Sequence, residues 1–140
     1  MKHHLVVDRK GIPLAALSGP ANTHDSLEFD RLLDAIPSIR QARGAPRRRP
    51  AKIHADKGCD YRRCRQSARV RGIIPRIARR GIESKQRLGR HRWVVERTLS
   101  WLHQGCRRLR VCYERRPDLH QAFLTIGCAL ICLHHIQRFC

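Results

Sequence analysis

The spacing of apolar residues switches repeatedly between strand-like and helix-like along this chain, and that alternation restricts the fold more than any other feature. His3–Val7 and Pro13–Leu17 are short apolar runs parted by Asp8-Arg9-Lys10-Gly11, the pattern of a β-hairpin. The period then changes: Leu27, Phe29, Leu32, Leu33 and Ile36 recur at helical spacing. Asp25 with Glu28 three residues on resembles a capping box, so a helix is expected over Ser26–Ile36. Residues 37–50 form a basic loop carrying Arg40, Arg43, Arg47, Arg48 and Arg49 without apolar period. A short strand is expected at Lys52–Ala55 and a basic helix at Asp60–Arg71. A further strand is expected at Gly72–Ile77, where Pro75 points to an edge or a strand end. Ala78–Leu88 reads as a loop, Arg90–Gln104 as a helix and Gly105–Arg116 as an Arg-rich connection. Pro117 suits a helix start, and a buried helix is expected over residues 119–139. The order β-β-α-β-α-β-α-α implies an α/β chain with a mixed sheet covered by helices, and 140 residues are enough for one domain or part of one.

Charge narrows the function. Thirty Lys and Arg face eleven Asp and Glu, a formal net charge of +19, while 41% of the residues are apolar. That apolar fraction builds a core, and the charge argues for a polyanionic partner, most simply nucleic acid, over an ordinary metabolic substrate. Candidate phosphate contacts are Arg47, Arg48, Arg49, Lys57, Arg76, Arg79, Arg80, Arg107, Arg108 and Arg110, and Trp93 and Tyr113 could stack on a splayed base. Met1–Asp8 is no secretion signal, and the run Ala122–Leu133, twelve residues, falls short of the roughly 20 that span a bilayer. The expectation is therefore a cytoplasmic protein with no membrane partner. Seven cysteines without a C-x-x-C pair read as reduced thiols. Cys128, Cys132, His134, His135 and Cys140 raise zinc as an alternative, but their spacing fits no finger pattern, and Cys128 and Cys132, four apart on an apolar helix, read as buried thiols.

Two acids stand out by placement. Asp56 closes the strand in His54-Ala55-Asp56-Lys57-Gly58-Cys59-Asp60; such a carboxylate sits at the sheet rim where ligands bind, or it is a turn residue. Glu96 lies in Arg92-Trp93-Val94-Val95-Glu96-Arg97-Thr98. Val94, Thr98, Trp101 and Leu102 make an apolar stripe, with Arg92, Glu96 and His103 nearly opposite. Glu96 is either half of a solvated pair with Arg92 or a metal-holding acid in a basic setting. Together the two acids could hold Mg²⁺, whose shell is completed by water and phosphate oxygens.

Four stretches carry a family likeness: Asn22-Thr23-His24-Asp25-Ser26, the segment around Asp56, Arg76-Ile77-Ala78-Arg79-Arg80-Gly81, and His91 through Leu102. They resemble the bacterial insertion-sequence transposases of the DDE type, nearest to the insertion sequence five group. The resemblance covers essentially the whole chain. It implies a ribonuclease-H-like mixed sheet flanked by helices that cuts and joins DNA at element ends with two Mg²⁺ ions. It makes Asp56 the second and Glu96 the third acid of the triad, gives Arg92 a role in orienting Glu96 or touching phosphate, and puts His103 where a related group has a phosphate-binding Lys. The family's first acid lies on a strand before the hairpin; Asp8, at the hairpin turn, reads as a turn former. The chain therefore resembles the C-terminal part of the catalytic domain, N-terminally truncated with the first strand missing and inactive alone. Its partners would be transposon ends and target DNA, with the intact transposase or a second copy of itself, in the nucleoid. The rival readings are a non-catalytic DNA-binding fragment that modulates the intact enzyme and a ribosomal-type RNA binder.

Overall fold

A computed structural model describes residues 1–81 and 85–139; the side chains of residues 85–90 and 139 are left aside. Two compact units emerge: the first is made of residues 1–23 and 93–140, the second of residues 24–92.

In the first unit, strands β1 (Lys2–Val7) and β2 (Pro13–Gly19) pair antiparallel, with His4 opposite Leu17 and a register shift at Val6/Val7. The expected hairpin is present. Its turn is held by Asp8, whose Oδ1 accepts from the backbone N–H of Lys10 and of Ile12, both at 2.8 Å. Gly11 supplies the positive φ of +84° that closes the loop.

The hairpin packs with the C-terminal helices. Leu102, Leu109 and Leu124 form the buried core, bordered by Leu5, Ala16, Phe123 and Ile131. Leu109 belongs to the short helix Arg107–Arg110, which forms inside the expected Arg-rich connection. Leu124 belongs to the last helix, Pro117–Phe139, which begins at the expected proline. That helix comes close because of Gly127: a Cβ there would meet Leu102 Cδ2 at 2.9 Å. Gln121 ties it to the β2 backbone, accepting from Ser18 N at 2.7 Å and donating to Ala16 O at 3.0 Å.

The expectation that this last helix is buried does not hold. His120, Leu124 and Gly127 are buried, but Leu119, Ile126, Leu130, Leu133 and Ile136 are exposed. Only one stripe of a helix can face a hairpin, and this helix is apolar on more than one side. Its span Pro117–Arg138 is long and apolar enough, by length and composition, to cross a membrane.

In the second unit, strands β3 (Lys52–Ala55) and β4 (Ile74–Ile77) run parallel, Ile53 opposite Pro75. Ile74 N and Ala78 N donate to Ala51 O and Ala55 O. With the two-residue period of a strand, the Pro75 nitrogen therefore faces away from β3, as a proline in a ladder must. Helices α1 (Asp25–Asp34) and α2 (Arg62–Val70) close this unit over Phe29, Leu33, Ile36, Cys64, Ala68, Ile73 and Ile77. Arg71 fastens the two helices by pairing with Asp34 at 2.9 Å.

Three local expectations are corrected. Among the described residues the sheet is not one mixed sheet but two separate two-stranded ones. Helix α1 is capped by His24, whose ring accepts from Ser26 N, while Glu28 turns to Arg31 at 2.8 Å; the anticipated Asp25–Glu28 capping box is not formed. Helix α3 spans Lys85–Gly105 and starts earlier than the expected Arg90, because Lys85-Gln86-Arg87-Leu88 are good helix formers and Gly89 does not stop them. Of the loop expected over Ala78–Leu88, residues 82–84 lie outside the described residues. The two remaining helices take the labels α4 (Arg107–Arg110) and α5 (Pro117–Phe139).

Candidate functional site

Asp56 stands immediately after β3, in the second unit. It caps a single 3-10 turn, Lys57–Cys59, with Oδ1 accepting from Gly58 N at 2.9 Å. The side chain is exposed yet held by this bond. A Cβ on Gly58 would lie 3.0 Å from Asp56 Oδ1 and 3.3 Å from Asp25 Oδ2, so glycine lets two carboxylates approach the same backbone atom. Their charge is felt next door. Burial first, then Asp56, with Cys64 and Asp25 adding to it, pushes the Cys59 thiol up to about 12 and keeps it protonated.

The surrounding segment is braced. Asp60 accepts from Arg65 at 2.5 Å and from Arg80 N at 2.8 Å, and these bonds hold its carboxyl below the usual range. Arg80 Nε donates to Lys57 O at 3.2 Å, and its guanidinium lies 5.0 Å over the Tyr61 ring. Asp25 is the residue that sequence reasoning missed here. The signal was in Asn22-Thr23-His24-Asp25-Ser26, but a helix start offers an acid an ordinary role, and capping was assigned to it.

Glu96 stands on α3 in the first unit, exposed, on an open cleft of about 910 Å³. His103, Gln104, Arg107, Arg110 and Tyr113 share that cleft with it. Of the expected stripe, Thr98 and Leu102 are buried, Val94 is half-buried and Trp101 is 41% exposed. Thr98 Oγ1 donates to Gly11 O at 2.7 Å, which seats the hairpin turn on the helix that carries Glu96. Arg97 lies 4.6 Å over the Trp93 ring and 4.8 Å over the Trp101 ring, and donates to Lys10 O at 2.6 Å. Trp93 thus has a packing partner in Arg97. Tyr113 is 69% exposed and lines the cleft.

The other sequence candidates divide by commitment. Arg47 donates to Arg49 O and Arg49 to Arg71 O, so both brace the 37–50 loop while remaining exposed. Arg48, Arg76 and Arg79 are exposed. Arg108 is exposed too, but it is bonded to Glu114 at 2.9 Å and lies 5.1 Å over Phe123. Arg92 is exposed on α3, and Lys57 opens the turn that Asp56 caps. Asp56 and Glu96 belong to different units, and each is described within its own.

The expected free thiols are found at Cys59, Cys64, Cys106, Cys112, Cys128 and Cys132. Cys128 is partly buried, and burial, with Cys132 beside it, raises its thiol to about 11. Cys140 lies outside the described residues.

The second unit thus carries a strand-end acid beside a braced basic turn, and the first a helix-borne acid on a cleft that Arg107 and Arg110 line. The transposase DDE domain family matches residues 1–132, and the chain belongs to it. It is 51% identical over 137 residues to a protein of Burkholderia cepacia named as a candidate transposase for insertion sequence element IS402. That alignment covers 98% of this chain and 64% of the relative's length, so the chain spans a little under two thirds of the protein it matches. No solved structure matches.

Proposed function

We propose that this chain is the part of an insertion-sequence transposase that carries the second and third acids of a ribonuclease-H-like active site. Asp56 and Glu96 are those acids. DNA ends are the substrate, and work on chromosomal DNA puts the chain in the bacterial cytoplasm. The observation that carries the reading is the placement of Asp56 at the carboxyl end of β3, held by Gly58 N–H, within a chain matched by the DDE family over residues 1–132.

The donor set suits Mg²⁺. Asp56 and Asp25 bring hard carboxylate oxygens to one turn, which fits an ion that binds through a few carboxylates and keeps water and phosphate oxygens in its shell. Such an ion supplies charge neutralisation and activation of an oxygen nucleophile in phosphodiester chemistry. The chain's own residues do the rest. Asp56 is aimed by the Gly58 amide. Glu96 is presented by a helix fixed through Thr98 and Arg97 to the hairpin. Arg107 and Arg110 line the same cleft and attract the phosphate backbone, and Tyr113 offers a stacking face.

Asp8 accepts from Lys10 and Ile12 at the hairpin turn, and on this reading it is a turn former and the first acid of the triad comes from outside the hairpin. The chain by itself then binds element-end DNA without cutting it. A binding and 3′-end cleavage assay with Mg²⁺ or Mn²⁺ tests this. Expected are no cleavage, and Mg²⁺-strengthened binding that Asp56→Asn and Glu96→Gln abolish. Binding that falls with salt but ignores both Mg²⁺ and these substitutions would replace this reading with that of a non-catalytic DNA-binding fragment. Robust cleavage lost in Asp56→Ala but not in Asp8→Ala would overturn the statement of inactivity.

A further inference from the structure

Away from Glu96, the first unit holds a second cluster of ligating side chains that transposition chemistry does not use. Cys112 Sγ, a Glu114 carboxylate oxygen and a His120 ring nitrogen all lie within 4.8 Å of one another. His120 is 1% exposed and the Glu114 side chain 4%. Glu114 Oε2 and His120 Nδ1 face each other at 3.5 Å, and among the described residues neither has a hydrogen-bond partner. At that separation the two buried atoms make an ion-pair contact at most, longer than a good hydrogen bond, and an occupant between them would satisfy both.

The geometry points to a divalent transition-metal site, zinc in the first place, formed by Cys112, Glu114 and His120. A tetrahedral zinc ion places its S, N and O donors about 3.3–3.6 Å apart, so these atoms need to close by about an ångström. The exposed Cys112 is the natural mover and gives the ion its entry path. On binding, the Cys112 thiol proton passes to solvent, the neutral His120 ligates through Nδ1, and water takes the fourth position. Thiolate and imidazole together select zinc or cobalt over Mg²⁺, which separates this site from the one proposed for Asp56 and Glu96.

The surroundings are those of a supported metal ligand. Arg108 holds the other Glu114 oxygen at 2.9 Å, leaving Oε2 free for the ion. His120 Nε2 meets His3 Nε2 at 2.8 Å. The rings are within 14° of parallel with centroids 5.1 Å apart, a spacing that an end-to-end ring hydrogen bond requires and that is too wide for a stack. A ligand at Nδ1 leaves the proton on Nε2, so His120 donates to His3. His3 is then the neutral acceptor, and its own Nδ1–H points to His103 Nε2 at 3.4 Å. This is the outer-shell hydrogen bonding by which ligating histidines are oriented. The ion would thus fasten the 111–116 connection to α5 and, through two histidines, to His103 on the Glu96 cleft.

The test uses the purified, metal-free full chain under reducing conditions, titrated with Co²⁺ and then Zn²⁺. Expected are one Co²⁺ per chain, a near-ultraviolet sulfur-to-cobalt absorption bleached by Zn²⁺, and a thermal midpoint raised by Zn²⁺ but not by excess Mg²⁺. Cys112→Ser should remove the absorption, and both it and Glu114→Gln should weaken Zn²⁺ binding by about tenfold or more, with circular dichroism unchanged. Cys128→Ser, Cys132→Ser and Asp56→Asn should leave all of this intact. Absence of the sulfur band, its survival in Cys112→Ser, or its loss in the Cys128 or Cys132 variant would overturn the site and leave only the His120–Glu114 contact in its place. DNA binding has no part in the readout, so this result and that on Asp56 and Glu96 fail independently.

Discussion

Gly11→Ala is the sharpest test of how the helix bearing Glu96 is fixed. Gly11 has φ +84°, and a Cβ there would sit 2.9 Å from Thr98 Oγ1 and 3.0 Å from the Arg97 guanidinium. Neither neighbour can yield cheaply. Thr98 is fully buried and donates to Gly11 O at 2.7 Å; Arg97 is held between two indoles and bonded to Lys10 O. The left-handed backbone costs an alanine about 1–2 kcal/mol. Separating the turn from α3 loses a buried hydrogen bond and leaves the Gly11 carbonyl unsatisfied, about 1–3 kcal/mol. The total expected is about 2–5 kcal/mol. Both tryptophans, Trp93 and Trp101, lie on α3 in the first unit, so urea unfolding followed by their fluorescence reads this unit. Two controls divide the cost. Gly11→Asn tolerates the positive φ but keeps the clash, so it should still lose more than about 1 kcal/mol. In a Thr98→Val background, Gly11→Ala should cost less than in the wild type, because the bond it breaks is already gone. A Gly11→Ala chain within about 0.5 kcal/mol of wild type would refute the seating of the hairpin on α3.

Other outcomes follow from the same contacts. Asp56→Asn should keep the Gly58 cap and lie within about 0.5 kcal/mol of wild type, whereas Asp56→Ala should lose about 1 kcal/mol, read by denaturation. Arg107→Ala and Arg110→Ala should each reduce the slope of log K against log salt for DNA binding by about 1, measured by fluorescence anisotropy across a salt series. The Asp60 carboxyl, depressed by Arg65 and by the Arg80 amide, stabilises the folded state above its unfolded value of 3.8. That contribution is lost as pH falls through the depressed folded value, because the unfolded chain then binds a proton that the folded one refuses. Asp60→Asn should flatten this acid limb of the stability curve. Leu124→Ala, at a fully buried site, should cost about 2–5 kcal/mol in the same fluorescence assay.

The local elements were legible because their signals are local. The hairpin followed from two apolar runs and a glycine turn, β3 from Lys52–Ala55, and the start of α5 from Pro117. What escaped depends on tertiary partners. Capping of α1 passed to His24 because Tyr61 and Arg63, far along the chain, bind that helix start: His24 meets the Tyr61 hydroxyl, and Ser26 takes a bond from Arg63. The burial of α5 was misjudged because apolar composition states that a helix has sides to hide, not how many sides its neighbours cover. Asp25 beside Asp56, and Cys112 beside Glu114 and His120, are pairings across sequence distance or across a loop whose path no periodicity gives.

Scarcity of acids was one reason to single out Glu96, and the structure weakens it. Asp30 and Asp34 hold Arg71, Glu28 holds Arg31, Asp60 holds Arg65, Glu114 holds Arg108 and Asp118 holds Arg116, while Asp8 and Asp56 bond backbone amides. In so basic a chain, acids serve first as arginine partners that offset the repulsion within each unit. Rarity therefore does not mark a catalytic acid here. The roles proposed for two of them rest on position instead: Asp56 at a strand end with Asp25 beside it, and Glu96 facing an open cleft lined by Arg107 and Arg110. The same logic separates the arginines. Those bonded to acids within the scaffold, such as Arg71 and Arg65, bring little field outside it. The exposed Arg48, Arg76 and Arg79, and the pair on the cleft, are those on which the proposed DNA binding rests.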